Sequence, residues 1–341
     1  MNIIQCCVPC LFGLERFVAE ELKNLGAQEV ANENGRVFFT GDTTTVADAN
    51  LWLRTGQRVE IVLGRFAAKT FDQLFEGVRA LPWEDWIPAD GRFPVKGYAL
   101  NSALHSVPDC QSIIKKAVVR RLEGHYHQAR FPEIGALYQI RFSIYKDEAL
   151  LMLDTSGTAL HKRGYRPEGL PAPIRETLGA ALVQLARPFP DTVLYDPFAG
   201  SGTLLIEGAL LARHMAPGLH RGFAAENWPA FPPPLWRARR EAARRAETPD
   251  IPFRGEGSDI DPRAVRIAAD NARRAGVADC LTFTVKDVKD FTLSTPRGMV
   301  VTNPPYGERM LEKEEARALY QIMGTVFRKQ PGWRYYIIAP D

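Results

Sequence analysis

From residue 173 onward the sequence alternates short apolar strands with amphipathic helices, and no other feature limits the fold so strongly. A strand that returns through a helix to the next strand builds parallel pairs, so the pattern predicts a doubly wound, mostly parallel α/β sheet of the Rossmann-like kind. Strands read at 192–195, 253–258, 281–285, 299–302 and 335–339, with helices at 203–213, 262–275 and 314–329. Residues 216–252 interrupt this rhythm with Trp228, Trp236, a Pro232-Pro233-Pro234 run and a helix carrying five arginines. That helix reads either as a solvated basic face or as a surface turned to phosphates.

The first half has a different, α+β texture. Helices are expected at 13–25, 46–53, 71–81 and 110–122, the last capped by Asp109, with strands at 35–39 and 59–63. A hairpin over 137–143 and 150–154 turns at Lys146-Asp147, and 82–94 reads as loop. The Gly- and Pro-rich stretch 161–173 is the best boundary. At 45% hydrophobic and 24% charged residues, the chain can bury a core and is neither disordered nor a disulfide miniprotein. No apolar run reaches the ~18 residues of a membrane span. Five cysteines, an odd number, fit a reducing cytoplasm better than a disulfide framework. Cys7-Val8-Pro9-Cys10 has metal-like spacing but lacks a second ligand pair, so no metal is expected. The net charge of +3 is nearly silent, although residues 1–160 carry −2 and the remainder +5.

Three strand ends carry chemistry. Asp196-Pro197-Phe198-Ala199-Gly200-Ser201-Gly202-Thr203 leaves the first strand of the α/β half and opens a helix. Its glycines let backbone approach a ligand, but a carboxylate at the strand end would repel a pyrophosphate. Asp196 suits a cationic ligand instead, such as the ammonium of S-adenosyl-L-methionine. Asp259, followed by Ile260, ends the next strand and could accept both ribose hydroxyls; Asp261 before Pro262 reads better as a helix cap. Asp287, followed by Val288, ends the third and could accept the adenine amino group.

Asn303-Pro304-Pro305-Tyr306 leaves the fourth strand. An amine on a nucleobase delocalises its lone pair into the ring, so a nucleophile must have that pair freed. The Asn303 side-chain oxygen and the Pro304 carbonyl can accept the amine hydrogens. Pro305 helps fix the backbone, and Tyr306 offers a ring for base stacking. The chemistry expected is methylation of an exocyclic amine.

These motifs resemble those of class I S-adenosylmethionine-dependent methyltransferases acting on exocyclic amines. The closer resemblance is to RNA guanine-N2 methyltransferases with a THUMP domain, often labelled N6-adenine-specific DNA methylases. It extends over Phe12-Gly13-Leu14-Glu15, Ser106-Val107-Pro108-Asp109 and Leu160-His161-Lys162-Arg163-Gly164-Tyr165-Arg166. The resemblance implies a ferredoxin-like piece at 1–60, a THUMP domain at 61–160, a linker at 161–172 and the methyltransferase domain at 173–341. It implies structured RNA as partner, 23S ribosomal RNA ahead of transfer RNA, and a role for Arg175-Glu176-Thr177 in closing the cofactor pocket. Arg163 and Arg166 are the arginines expected to touch RNA, unless they pair with carboxylates across the domain boundary. Sheets of this class add two further strands beyond the fifth, and those are expected to be absent here.

Overall fold

The computed structural model describes residues 3–167, 174–188, 192–292, 295–305, 313–327 and 331–339. The chain divides into two compact units, residues 1–160 with 222–241, and residues 161–221 with 242–341.

The first unit runs β1 (Ile4–Pro9), α1 (Glu15–Asn24), β2 (Gln28–Glu33), β3 (Arg36–Gly41), α2 (Thr43–Trp52), β4 (Glu60–Ala67), α3 (Phe71–Arg79), β5 (Val95–Leu100), α4 (Val107–Tyr126), β6 (Gln139–Tyr145) and β7 (Glu148–Asp154). These strands form one seven-stranded sheet in the order β2-β3-β1-β4-β7-β6-β5, so the segments expected to be ferredoxin-like and THUMP share a sheet. Only β5–β6 is parallel; the other pairs are antiparallel. The β6–β7 hairpin turns where expected, with Lys146 and Asp147 both at positive φ, as a two-residue connection requires. The α4 cap is Ser106 rather than Asp109. Pro108 needs no hydrogen-bonded N–H and fits the first turn, so the helix starts before it and Asp109 becomes a first-turn acid.

Residues 222–241, assigned by sequence to the methyltransferase domain, pack within this first unit. Trp228 stacks on Tyr138 at 4.6 Å between ring centroids, and its indole N–H donates to the Leu137 carbonyl. Phe231, Trp236 and Phe223 join the same core. Arg239 meets Asp48 through two 2.7 Å hydrogen bonds, and Arg240 pairs with Glu226. Arg237, Arg244 and Arg245 of the basic helix are exposed.

The second unit runs α5 (Glu176–Ala186), β8 (Val193–Asp196), α6 (Thr203–Ala212), α7 (Pro233–Arg245, which begins in the first unit), β9 (Arg254–Asp259), α8 (Pro262–Arg274), β10 (Leu281–Val285), β11 (Gly298–Thr302), α9 (Lys313–Val326) and β12 (Trp333–Ile337). Its five described strands are all parallel, in the order β10-β9-β8-β11-β12. The expected doubly wound sheet is present, and each expected strand is found within two residues of its predicted start. The order reverses about β8, which opens a crevice above the carboxyl ends of the strands. No described helix is long and apolar enough to cross a membrane.

Candidate active site

Parallel strands bring their carboxyl ends to one edge, so Asp196, Asp259 and Asn303 follow from topology alone. Asp196 ends β8 and is 2% exposed. One of its carboxylate oxygens accepts from the Thr302 hydroxyl at 2.6 Å and from the Phe198 N–H at 3.2 Å. Burial pushes its pKa up to about 7, and the nearby Asp259 charge adds to the rise. A buried carboxylate poised there is one that a cation would ionise.

The glycine loop crosses to β9. The Ala199 N–H donates to the Ser258 carbonyl at 2.8 Å, and the Gly200 N–H to Asp259 at 2.9 Å. Gly202 caps α6 at φ +78° with no side-chain bond to the helix, so nothing from the cap covers the first N–H groups. A Cβ there would sit 3.1 Å from Ala268 and from the Phe283 ring. The other Asp259 oxygen accepts from the Asp261 N–H at 3.0 Å, leaving each oxygen a second lone pair. Asp261 caps α8 through the Arg263 N–H, as its place before Pro262 predicts.

Ile260 is 69% exposed beside Asp259, an apolar surface available to a flat ligand. Asp287 follows β10 and accepts from both the backbone N–H and the ammonium of Lys289, which hold its carboxyl below its ordinary pKa. Val288 is buried, so its side chain serves packing rather than open contact. Asn303 and Pro305 are half-buried and Pro304 is buried directly after β11. Tyr306 lies outside the described residues.

Arg163 and Arg166 do not present themselves to RNA. Arg163 is buried against Glu207, which also accepts from the Tyr165 hydroxyl. Arg166 donates to Glu176 at 3.1 Å, to the Ile174 carbonyl and to the Thr203 hydroxyl. Each arginine neutralises a carboxylate that is itself 1% exposed or less, within the second unit. Both arginines expected at RNA are instead engaged in ion pairs within the second unit, and Arg166 also donates to Thr203 where the glycine loop enters α6. Sequence reasoning also missed Thr302 and Asn271, whose amide donates to the Ser201 carbonyl from α8. Their signal was position alone: one directly precedes Asn303, the other is a polar residue on the buried face of a helix. Among the described residues, no group of three or more His, Cys, Asp or Glu could hold a metal.

The sequence model of the family described as RMKL-like, methyltransferase domain, matches residues 163–341. The chain belongs to that family. Two further models match upstream, the RlmL ferredoxin-like domain at 5–60 and the THUMP domain at 68–154. Across all three, the chain is 46% identical over 332 residues to the "Putative RNA methyltransferase YpsC" of Bacillus subtilis, covering 96% of this chain and 86% of that one. The crystal structure titled a "predicted N6-adenine-specific DNA methylase" from Listeria monocytogenes is 47% identical, with TM-score 0.94 over 99% of this chain and 89% of that one. The crystal structure of "SMU.472, a putative methyltransferase complexed with SAH" is 40% identical, with TM-score 0.93 over the same shares. TrmN from Thermus thermophilus shares the fold at 20% identity and TM-score 0.64, over 94% of this chain and 83% of that one. The RMKL-like domain is thus joined in one chain to ferredoxin-like and THUMP modules, as the resemblance implied.

Proposed function

We propose that this chain is an S-adenosylmethionine-dependent RNA methyltransferase that methylates the exocyclic N2 amine of a guanine, in 23S ribosomal RNA. The observation that carries the reading is the joint placement of buried Asp196 and Asn303-Pro304 at the carboxyl ends of adjacent parallel strands, linked through Thr302. When bound, the cofactor supplies an electrophilic methyl group on a sulfonium.

The residues present fit such a ligand. Asp196 receives its ammonium, Asp259 its ribose hydroxyls and Ile260 its adenine face, while the glycine loop keeps side chains out of its path. Asn303 and the Pro304 carbonyl would accept the two amine hydrogens and so free the nitrogen lone pair for methylation. A tuned general base is not required, because the amine proton can leave to water once the nitrogen has gained its fourth bond. The RNA assignment is supported by the THUMP segment and by the RNA methyltransferase name of the Bacillus relative. The choice of guanine N2 and of ribosomal RNA rests on the resemblance of the motifs.

The test is methyl transfer from tritiated S-adenosylmethionine to ribosomal RNA, transfer RNA and DNA purified from a deletion strain, followed by nucleoside mass spectrometry. N2-methylguanosine in 23S RNA is expected. Label confined to transfer RNA would move the target, and N6-methyladenine in DNA would replace the reading.

A further inference from the structure

One face of the seven-stranded sheet packs on the main core of the first unit; the other carries a small apolar cluster of Cys7, Leu150 and Met152 with Phe38 and Val62. At the β5–β6 end of that second face the apolar groups come to the surface. Tyr98 is 41% exposed, Leu100 56% and Tyr145 46%. Tyr98 lies opposite Ser143 and Leu100 opposite Tyr145, so the two tyrosines are diagonal neighbours on one face. Strand spacing and rise put their Cα atoms about 8 Å apart. Val95 and Ala99, on the opposite face of β5, point into the core, which fixes which side the tyrosines occupy.

Cations sit at these rings. Arg36 reaches from β3 to donate to the Tyr98 hydroxyl at 2.5 Å and to the Ser143 hydroxyl at 3.2 Å. Lys146 lies 5.2 Å from the centre of the Tyr145 ring. Lys96 is exposed two residues before Tyr98. Contiguous exposed apolar groups on a sheet face signal a partner. Rings with cations beside them suit stacked bases flanked by phosphates better than an apolar protein surface.

We propose that the exposed β5–β6 end of this face is a stacking platform for two unpaired bases of the RNA substrate, with Tyr98 and Tyr145 as the stacking rings and Lys96, Arg36 and Lys146 facing the backbone. The proposal rests on the RNA reading above and adds which residues of the first unit hold single-stranded substrate.

The experiment measures binding of the full chain to a fluorescein-labelled single-stranded RNA decamer and to an RNA duplex of equal length, by anisotropy. The Tyr98→Ala/Tyr145→Ala variant should bind the single strand at least about 10-fold more weakly. The Tyr98→Phe/Tyr145→Phe variant should bind it almost as wild type, because the rings remain. S-adenosylhomocysteine affinity, measured by calorimetry, should be the same in all three proteins, which reports intact folding. Equal single-strand binding by the alanine variant overturns the platform while leaving the RNA reading intact. Failure of the wild-type protein to bind either RNA overturns both. A changed oligomeric state in light scattering, with RNA affinity unchanged, makes the patch a protein interface and also overturns the proposal.

Discussion

The Thr302 hydroxyl and the Asp196 carboxylate meet at 2.6 Å, tying the end of β11 to the end of β8 beneath the candidate site. Thr302 directly precedes Asn303, so one hydrogen bond couples the acid proposed to face the cofactor to the residue proposed to hold the amine. Asp196 is buried enough that its pKa rises to about 7, and the Thr302 bond opposes that rise. Binding a cation beside it favours the ionised form. Affinity for S-adenosylhomocysteine should therefore increase from pH 6 to pH 8, with about one proton released per ligand at the lower end. Calorimetry in buffers of different ionisation enthalpy checks this. Thr302→Val removes a donor to the carboxylate and should move the midpoint upward; an affinity that ignores pH would separate Asp196 from the ammonium.

The same burial works against the ligand-free fold. Between the ordinary value of 3.8 and about 7, folded Asp196 keeps a proton that the unfolded chain has released, so stability falls as pH rises through that window. The cost is on the order of 4 kcal/mol above pH 7. Asp196→Asn should accordingly stabilise the ligand-free protein at pH 8, have little effect near pH 4, and weaken cofactor binding throughout. Urea denaturation at the two pH values measures the difference.

Much of this site was legible because parallel topology converts strand ends into neighbours. Once 192–195, 253–258 and 299–302 read as strands, Asp196, Asp259 and Asn303 had to converge. What the sequence hid depends on packing. β2 is a polar edge strand and β5 an edge strand with alternating exposure, and neither shows the apolar run that marks β4 or β7. Arg163 and Arg166 read as RNA contacts because their carboxylate partners, Glu207 and Glu176, lie on helices 44 and 10 residues away. No local pattern shows that an arginine will be buried in an ion pair. Residues 222–241 belong to the first unit for a similar reason: the Trp228–Tyr138 stack joins residues 90 apart, and composition shows only that the segment is unusual.

Arg166 tests the distinction between support and RNA contact. Its loss would leave Glu176 buried with its main counter-charge gone, and Arg166 is the largest influence opposing the burial that raises the Glu176 pKa. Arg166→Ala should destabilise the protein by about 3–5 kcal/mol at pH 8. The deficit should shrink as pH falls and Glu176 takes up a proton. Arg166→Lys keeps the charge but not the fork that reaches Glu176, Ile174 and Thr203 together, so it should fall between wild type and alanine. A surface RNA contact would give the reverse pattern: unchanged denaturation curves and an RNA affinity loss that salt erases.

Gly202 tests whether the loop conformation is required. Its φ of +78° is the left-handed region, and a Cβ would crowd both Ala268 and Phe283. Gly202→Ala should cost about 1–2 kcal/mol from backbone handedness alone. Because the residue caps α6, the strain should fall on the loop, and S-adenosylhomocysteine affinity should drop about 10-fold or more. Calorimetry and urea denaturation together separate the two effects. An unaltered affinity would mean that the loop does not approach the ligand.

Trp228 decides whether residues 222–241 are a structural part of the first unit or a surface excursion. The side chain is 2% exposed, stacks on Tyr138 and donates to the Leu137 carbonyl. Trp228→Ala opens a large cavity and should destabilise by about 3–5 kcal/mol. Trp228→Phe keeps a ring against Tyr138 but leaves the Leu137 carbonyl without its indole donor, at a cost of about 1–3 kcal/mol. Urea denaturation followed by far-ultraviolet circular dichroism avoids the loss of the indole fluorophore itself. If alanine costs less than about 1 kcal/mol, as surface substitutions do, the segment is an excursion whose packing is dispensable. If it costs several times more, the methyltransferase domain has contributed a piece of its own sequence to the core of the THUMP-bearing unit, and that unit cannot be complete without it.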